Sequence, residues 1–293
     1  MNLSLANSAQ RPAKGQRLVT ELRRKNESPS SPNKPSGDAP TFAWIEPTKL
    51  LIDDRYQRAL SQRSKKLIEQ IVAQWDWCRF KPPVVAETEA GLEIIDGQHT
   101  AIAAATHPEI REIPIMLIRS ETVGSRAAAF IGHNRDRIAV TPIQYHSAAV
   151  VAGDPDATKV ASVCAEAGVN ILRCPPGGTG YRPGDTLAIG AVRDLVAHRT
   201  HVEAVLILSI LTGAGCTPVT ACGIKAVDYL LFSSEFRGKC TPDNITEALV
   251  DLAERAHAEA KLFAKTHNIP TWRGLAAVLF RFRHRISRRS EVL

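Results

Sequence analysis

One segment, residues 91–105, constrains the fold more than any other, because it has the pattern of a strand that turns sharply into a helix. A short run ending in Ile94 and Ile95 shows the β-branched character of a buried strand. The alanine-rich stretch after Thr100 favours a helix. Between them, Gly97 permits a tight bend, and the unpaired amides of a first helical turn attract anions. We therefore expect an anion site at this bend.

A second polar segment runs from His133 to Gln144 and begins His-Asn-Arg-Asp-Arg. An apolar strand is predicted between the two segments, at Ile113–Ile118. The Asp-Gly-Gln-His-Thr box at 96–100 and this second segment resemble the two boxes of the ParB/sulfiredoxin superfamily. Phage- and plasmid-borne members of that superfamily often carry such an Asp-Gly-Gln-His variant. The resemblance covers about residues 43–144 and implies a small mixed sheet with helices.

The resemblance further implies that the two boxes meet in one phosphate- or nucleotide-binding pocket. The implied ligand is CTP or ATP with Mg²⁺, a choice that the sequence leaves open. In nucleotide-binding members the first box reads Gly-Glu-Arg-Arg, whereas Gln98, His99 and Thr100 follow the glycine here, so this box supplies no guanidinium. The box also lacks the reactive cysteine of sulfiredoxins, which argues against sulfinic-acid repair. The implied phosphate-binding residues are Gly97, Gln98, His99, Thr100, Asn134, Arg135 and Arg137.

Two residues of the first box are candidates for catalysis. Asp96 and His99 are a carboxylate and an imidazole three residues apart, and with His133 they could provide a general base or bind a divalent ion. This pattern supports an alternative function, a metal-dependent DNA nuclease of the same fold. A structural interpretation stays open as well, with Asp96 as a helix N-cap and His99 as a packed histidine in a non-catalytic scaffold. We predict no dedicated protein metal site.

The charge of the chain is concentrated at its two ends. The net charge is +7; residues 1–37 hold seven basic and two acidic side chains, and residues 279–293 hold five and one. The remaining 25 basic and 27 acidic side chains nearly cancel. Basic ends attract polyanions by counterion release, so DNA is the expected partner, although solubilising ends would show the same composition.

The last predicted helix carries the most regular basic pattern. Its arginines recur at i, i+4, i+7 and i+8, which places them near one helical face. Such a face suits a phosphate backbone, and equally a solvated helix end that favours cations. The predicted DNA-binding residues are Arg281, Arg285, Arg288 and Arg289.

We predict an α+β protein in three parts. Residues 1–40 are rich in Ser, Pro and Lys and are expected to form a disordered basic arm. Residues 41–142 form the ParB/sulfiredoxin-like domain, and residues 143–293 form an all-helical C-terminal domain with a basic tail. Where ParB proteins have a recognition helix, the Gly- and Pro-rich run 174–185 predicts a loop.

The periodicity of the chain predicts its individual elements. Strands are expected at 46–53, 82–86, 92–95 and 113–118, and helices at 65–75, 123–130, 143–151, 157–167, 186–199, 201–211, 219–231, 246–267 and 272–288. Ser61 or Ser64 is expected to cap the first helix, and Thr241 or Asp243 the long one at 246–267.

Several broad classes of protein are excluded by composition. No apolar run approaches the ~20 residues of a membrane span, and basic residues interrupt any signal-peptide core, so we expect a cytoplasmic protein. The six cysteines form no Cys-x-x-Cys pair and are expected to be reduced core residues. The resemblance and the basic ends together imply a ParB-like, nucleic-acid-associated protein of partition or regulatory type, of mobile-element origin, and the resemblance implies a homodimer.

Overall fold

The computed structural model describes residues 34–137, 139–178 and 180–290, with the backbone alone at 254 and 283–290. Most of the predicted basic arm, residues 1–33, lies outside the described residues, whereas residues 34–40 are exposed and have no regular structure. The chain divides into two compact units after Arg137.

The first unit is built on a five-stranded mixed sheet with the spatial order β1-β5-β3-β4-β2. The β3–β4 hairpin and the β1–β5 pair are antiparallel, whereas β3 runs parallel to β5 and β2 parallel to β4. The strands are β1 (Thr41–Ile45), β2 (Leu50–Leu51), β3 (Val84–Thr88), β4 (Gly91–Asp96) and β5 (Ile113–Ile118).

Helices cover both faces of this sheet. They are α1 (Gln62–Ala73), α2 (Gln98–Thr106) and α3 (Val123–Arg135). Successive residues of β3 point to opposite faces: Val85 packs with Ala104 of α2, whereas Val84 packs towards Phe130 of α3. Because β4 lies inside the sheet between these layers, its end is held at a fixed position beside the starts of α2 and β3.

In its described residues, the second unit has helices as its main elements and one short parallel ladder of two-residue strands. Its helices are α4 (Pro142–Val151), α5 (Pro155–Glu166), α6 (Ile189–His198), α7 (His201–Gly213), α8 (Ala221–Phe232), α9 (Pro242–Leu252), α10 (Glu254–His267) and α11 (Thr271–Ser290). One continuous hydrophobic core joins α5 to α11, with Ile207, Leu208 and Leu230 almost completely buried.

The expectation of an all-helical C-terminal region was wrong at this ladder. Strand β6 (Asn170–Ile171) pairs in parallel with β7 (Asp185–Thr186), so the predicted loop leaves and returns at one place. The Asn170 amide donates to the Asp185 carboxylate at 2.7 Å, which closes the base of the loop. Thr186, expected in a helix, is therefore in a strand.

The predicted helix at 246–267 was also wrong as a single element. Two helices replace it, and they meet at Ala253, whose φ of 44° interrupts the helical path. Thr241, one of the two predicted caps, accepts a hydrogen bond from the amide of Asn244 and begins α9.

Two further expectations for the first unit need correction. The opening strand is Thr41–Ile45 rather than 46–53, where a 3-10 turn at Pro47–Lys49 leaves only the two residues of β2. The expected helix at 123–130 starts at a capping box between Thr122 and Ser125 and continues to Arg135, and in its last turn the amide of Asn134 donates to the carbonyl of Phe130.

The described part of the chain tests two further expectations, the burial of the cysteines and the lack of a membrane span. Cys164 is a buried core residue as predicted, but Cys78 and Cys174 are exposed, so the expectation of six core cysteines was wrong. Among the described residues, no helix combines the length and apolarity needed to cross a bilayer.

Candidate functional site

The bend between β4 and α2 depends on Gly97. Its φ is +94°, a left-handed conformation that side chains other than glycine rarely adopt. A Cβ at this position would lie 2.9 Å from the Cα of Pro83, so the backbone just before β3 passes directly against the bend. Gly97 is the N-cap of α2, and no side chain caps this helix end. The alternative of Asp96 as the N-cap was therefore wrong.

Asp96, the last residue of β4, faces two cationic side chains instead. Its carboxylate accepts a hydrogen bond from the guanidinium of Arg137 and lies 3.9 Å from the ammonium of Lys81. The side chain of Asp96 is 16% exposed and that of Arg137 is 48% exposed. The first box and the end of the second box are thus in direct contact.

The second box lies at the C-terminal end of α3. Helix α3 packs Ala129 and Phe130 against the sheet, which brings its last turn beside the end of β4. An open hollow of about 450 Å³ lies here, lined by Lys81, Ala129, Gly132, His133, Asp136 and Arg137. Two predicted residues, His133 and Arg137, therefore border one hollow.

Four other predicted residues have different surroundings. The buried Gln98 points its amide at the carbonyl of Arg58, at 3.5 Å. Asn134 donates to the carbonyl of Phe130 within its own helix, at 2.8 Å. The guanidinium of Arg135 pairs with the carboxylate of Asp136 at 2.9 Å. Thr100 lines a separate hollow of about 180 Å³, beside Trp75 and Phe80.

His99 is half-buried in the first turn of α2, and its ring makes no hydrogen bond with any described residue. Asp96 and His99 are close in sequence, but the carboxylate of Asp96 is engaged by Arg137 and Lys81. A carboxylate that already contacts two cationic side chains is not free to act together with the His99 ring. No group of three His, Cys, Asp or Glu side chains suited to a metal occurs in the described part of the chain.

The charged groups at the hollow shift one another's titration. The guanidinium of Arg135, through its hydrogen bond, lowers the pKa of the Asp136 carboxyl, and the pKa of Arg135 is raised in return. Both side chains are exposed, so their mutual stabilisation is modest in water. Asp136 nevertheless remains ionised at neutral pH and offsets part of the positive charge.

A buried polar cluster that sequence reasoning missed anchors α3 to the sheet. Glu93 of β4 accepts from Arg126 at 2.8 Å and from the hydroxyl of Tyr56, and the Glu93 and Arg126 side chains are 10% and 7% exposed. Burial, followed by the hydrogen bond to Glu93, raises the pKa of Tyr56. A glutamate in the middle of the apolar run Gly91–Ile95 was the signal that could have revealed the cluster.

Lys81 was also missed, because its role depends on the β3–β4 register. Val84 pairs with Asp96 across the hairpin, which brings the preceding Lys81 close to the Asp96 carboxylate. Nothing local to Lys81 in the sequence indicates this.

The predicted DNA-binding arginines are only partly described. Arg281 is exposed, and its guanidinium lies 4.7 Å from the ring centroid of Phe263 in a cation–π contact. The side chains of Arg285, Arg288 and Arg289 lie outside the described residues, so their common face stays a prediction.

Comparison with known proteins gave matches only among solved structures. No family model and no curated protein matches the chain. The C-terminally truncated chromosome-partitioning protein ParB from Caulobacter crescentus, complexed with CTP-γ-S, is 12% identical, with a TM-score of 0.38 over 57% of this chain and 98% of that one. A Pnob8-like ParB-N domain is 13% identical, with a TM-score of 0.27 over 86% of this chain and 97% of that one. Both TM-scores are too low to assign a shared fold or function.

Proposed function

We propose that this chain is a ParB-like, nucleic-acid-associated protein of partition or regulatory type. Its first unit binds the phosphates of a nucleotide at the hollow bordered by Lys81, His133 and Arg137, called the Arg137 hollow below. The observation that carries the proposal is the contact between Arg137 and Asp96. It joins the end of the second box to the strand end that precedes the uncapped start of α2.

The chemistry of this place suits an anion. Lys81, His133 and Arg137 border the hollow, and the first-turn amides of α2 follow directly on Asp96. A guanidinium has five N–H donors, and about half of the Arg137 side chain is exposed, so it can hold Asp96 and a phosphate together. The binding residues proposed on this basis are Arg137, Lys81 and His133, which line the hollow, together with the amides after Gly97, which are not part of its described lining but follow Asp96 in the chain.

Magnesium fits these residues less well than phosphate. Mg²⁺ is usually held by one or two carboxylates together with substrate phosphates. Asp136, which lines the hollow, and Asp96, which contacts Arg137, are each paired with an arginine. The proposal is therefore nucleotide binding, CTP or ATP, without a hydrolytic step. The same pairing of Asp96 disfavours the nuclease alternative, which needs a free carboxylate.

DNA is proposed as the macromolecular partner because of the charge at the two ends of the chain. Residues 1–37 carry a net +5 and residues 279–293 a net +4. Contacts of this kind bind the phosphate backbone without reading bases and weaken steeply with salt. The proposal includes a homodimer, as the family resemblance implies, and the cytoplasmic location expected from the sequence.

A ligand panel tests both parts. CTP, ATP and inorganic triphosphate are expected to raise the Tm of the full chain at low salt, and the nucleosides cytidine and adenosine are not. For an arbitrary DNA duplex, the logarithm of the association constant is expected to fall linearly with the logarithm of the salt concentration. The absence of any Tm shift with all three phosphorylated ligands would refute the nucleotide part, and salt-independent DNA binding would refute the DNA part.

A further inference from the structure

The second unit contains a larger cavity that has no role in the proposed phosphate site. It has a volume of about 610 Å³, within the range of ~300–1,000 Å³ typical of small-molecule sites. It lies where α7 and α9 end and where α8 and α10 begin, with α11 as a further wall. Helix ends cannot interdigitate as helix faces do, so a space remains between them.

The wall of the cavity is mostly hydrocarbon. Its larger side chains are Leu211, Leu249, Val250 and Leu275, and small residues such as Ala214 and Ala256 leave the space open. Leu211, Ala256 and Leu275 belong to the buried core, whereas Val250, which is 53% exposed, and the exposed Thr217 and His257 border the opening to solvent. A molecule entering past Val250 would therefore contact the apolar core.

The cavity is preformed rather than dependent on a moving wall. Helix α11 crosses α10 at Gly274, where a Cβ would lie 2.4 Å from the carbonyl oxygen of Ala260. Gly223 of α8 similarly approaches α7, because a Cβ there would lie 3.1 Å from the side chain of Leu211. These close contacts fix α8 and α11, two of the walls, against their neighbours.

The polar groups of the lining select against charge. None of the described residues that line the cavity is Asp, Glu, Lys or Arg. Thr217 donates to the carbonyl of Gly215 at 2.8 Å, and Thr220 accepts from the amide of Gly223 at 3.0 Å, so each hydroxyl already has one partner within the wall. Among the described lining residues, the thiol of Cys216 and the imidazole of His257 are the ionisable groups, and burial raises the pKa of the thiol. A charged ligand would lose part of its hydration against this wall and would meet no Asp, Glu, Lys or Arg among the described lining residues.

We propose that this cavity, the α7–α11 cavity, binds a compact, uncharged, mainly hydrophobic small molecule. The ligand would bury its hydrocarbon against Leu211, Leu249 and Leu275, and its entry would pass Val250. The site is independent of the Arg137 hollow, so either proposal can fail without the other.

Cys216 gives a site-specific readout in the full chain. Its alkylation by iodoacetamide can be followed by peptide mass spectrometry, with the exposed Cys78 and Cys174 as internal controls. With 1-octanol as the probe, the rate at Cys216 is expected to fall about threefold when the probe is at twice its Kd. The rates at Cys78 and Cys174 are expected to stay unchanged. Octanoate and octylammonium, which match the chain length but carry a charge, are expected to need at least about tenfold higher concentrations, since tenfold is about 1.4 kcal/mol.

A matched pair of variants locates the effect. Val250→Trp fills the opening and is expected to abolish protection by 1-octanol, whereas Val202→Trp, at a position 74% exposed on α7 and outside the lining, is expected to retain it. The proposal would be overturned if 1-octanol left the Cys216 rate of the wild type unchanged, or if Val250→Trp were protected as well as Val202→Trp. Equal protection by the three probes would overturn its selectivity for uncharged molecules.

Discussion

The guanidinium of Arg137 donates to the carboxylate of Asp96, across a separation of 41 residues. This contact links the two polar boxes at the start of α2. Because an anion bound beside Arg137 must share the guanidinium with Asp96, the carboxylate should set the affinity of the site as well as its geometry.

Replacing Asp96 by Asn should therefore strengthen phosphate binding. An ion pair with a half-exposed arginine contributes ~0.2–1 kcal/mol, so the affinity for CTP or triphosphate should rise about 1.4- to fivefold. Isothermal titration measures the change. Asp38→Asn, which removes the exposed partner of Arg119 in the same unit, is the matched control and should leave affinity unaltered. A weaker affinity in Asp96→Asn would mean that Asp96 supports the ligand rather than competes with it.

Replacing Glu93 by Gln should destabilise the first unit strongly. The change leaves the guanidinium of Arg126, whose side chain is 7% exposed, without its counter-ion, which costs about 3–5 kcal/mol in comparable buried pairs. Urea denaturation gives the free energy of unfolding. Glu87→Gln, an exposed glutamate on the neighbouring strand, should change it by less than about 0.5 kcal/mol. Equal effects of the two changes would show that the buried pair does not hold α3 to the sheet.

Replacing Gly97 by Ala combines two penalties. The left-handed backbone costs ~1–2 kcal/mol, and the Cβ would also press on the Cα of Pro83 at 2.9 Å. Gly153→Ala isolates the first penalty, because Gly153 has a φ of +74° and no atom within 4 Å of the added Cβ. Gly97→Ala should therefore lower the free energy of unfolding more than Gly153→Ala, as measured by urea denaturation. A smaller loss at Gly97 would mean that the bend relaxes away from Pro83.

Asp53 should contribute to acid sensitivity. Its side-chain hydrogen bond with Arg55, above all, lowers its pKa from 3.8 to about 2 in the folded protein. A lowered folded pKa gives stability that is complete above the ordinary value of 3.8 and is lost as the pH falls towards 2. The wild type should thus exceed Asp53→Asn in stability at pH 6, and the difference should shrink as the pH falls towards 2 and disappear below it. A difference that grew on acidification would contradict this assignment. Urea midpoints measured at several pH values provide the test.

The sequence was sufficient to predict the bend at Gly97 and the strands β4 and β5, because β-branched runs, a turn glycine and an alanine-rich helix are local signals. It was insufficient at Ala253, where neither Gly nor Pro marks the interruption between α9 and α10. The contact of Asp96 with Lys81 and Arg137 depends on strand register and helix packing, which no local pattern encodes.

The contrast between local sequence signals and tertiary packing also explains which predicted site residues are in contact. Gln98 and Asn134 belong to the matching boxes, but the helical positions they occupy turn their amides towards Arg58 and Phe130. The direction of a side chain depends on where a helix begins and which face it buries. Arg137 lies beyond the end of α3 and is free of that constraint, so it reaches Asp96.

Isothermal titration of CTP into the wild type, Arg137→Ala and Arg119→Ala tests the central claim most directly. Arg119 is an exposed arginine of the same unit with a carboxylate partner of its own, so its loss controls for net charge. A charge-assisted hydrogen bond contributes about 1.5–3 kcal/mol, so Arg137→Ala should bind CTP at least about tenfold more weakly, and Arg119→Ala should bind as the wild type does. Equal affinity of Arg137→Ala and the wild type would contradict the account.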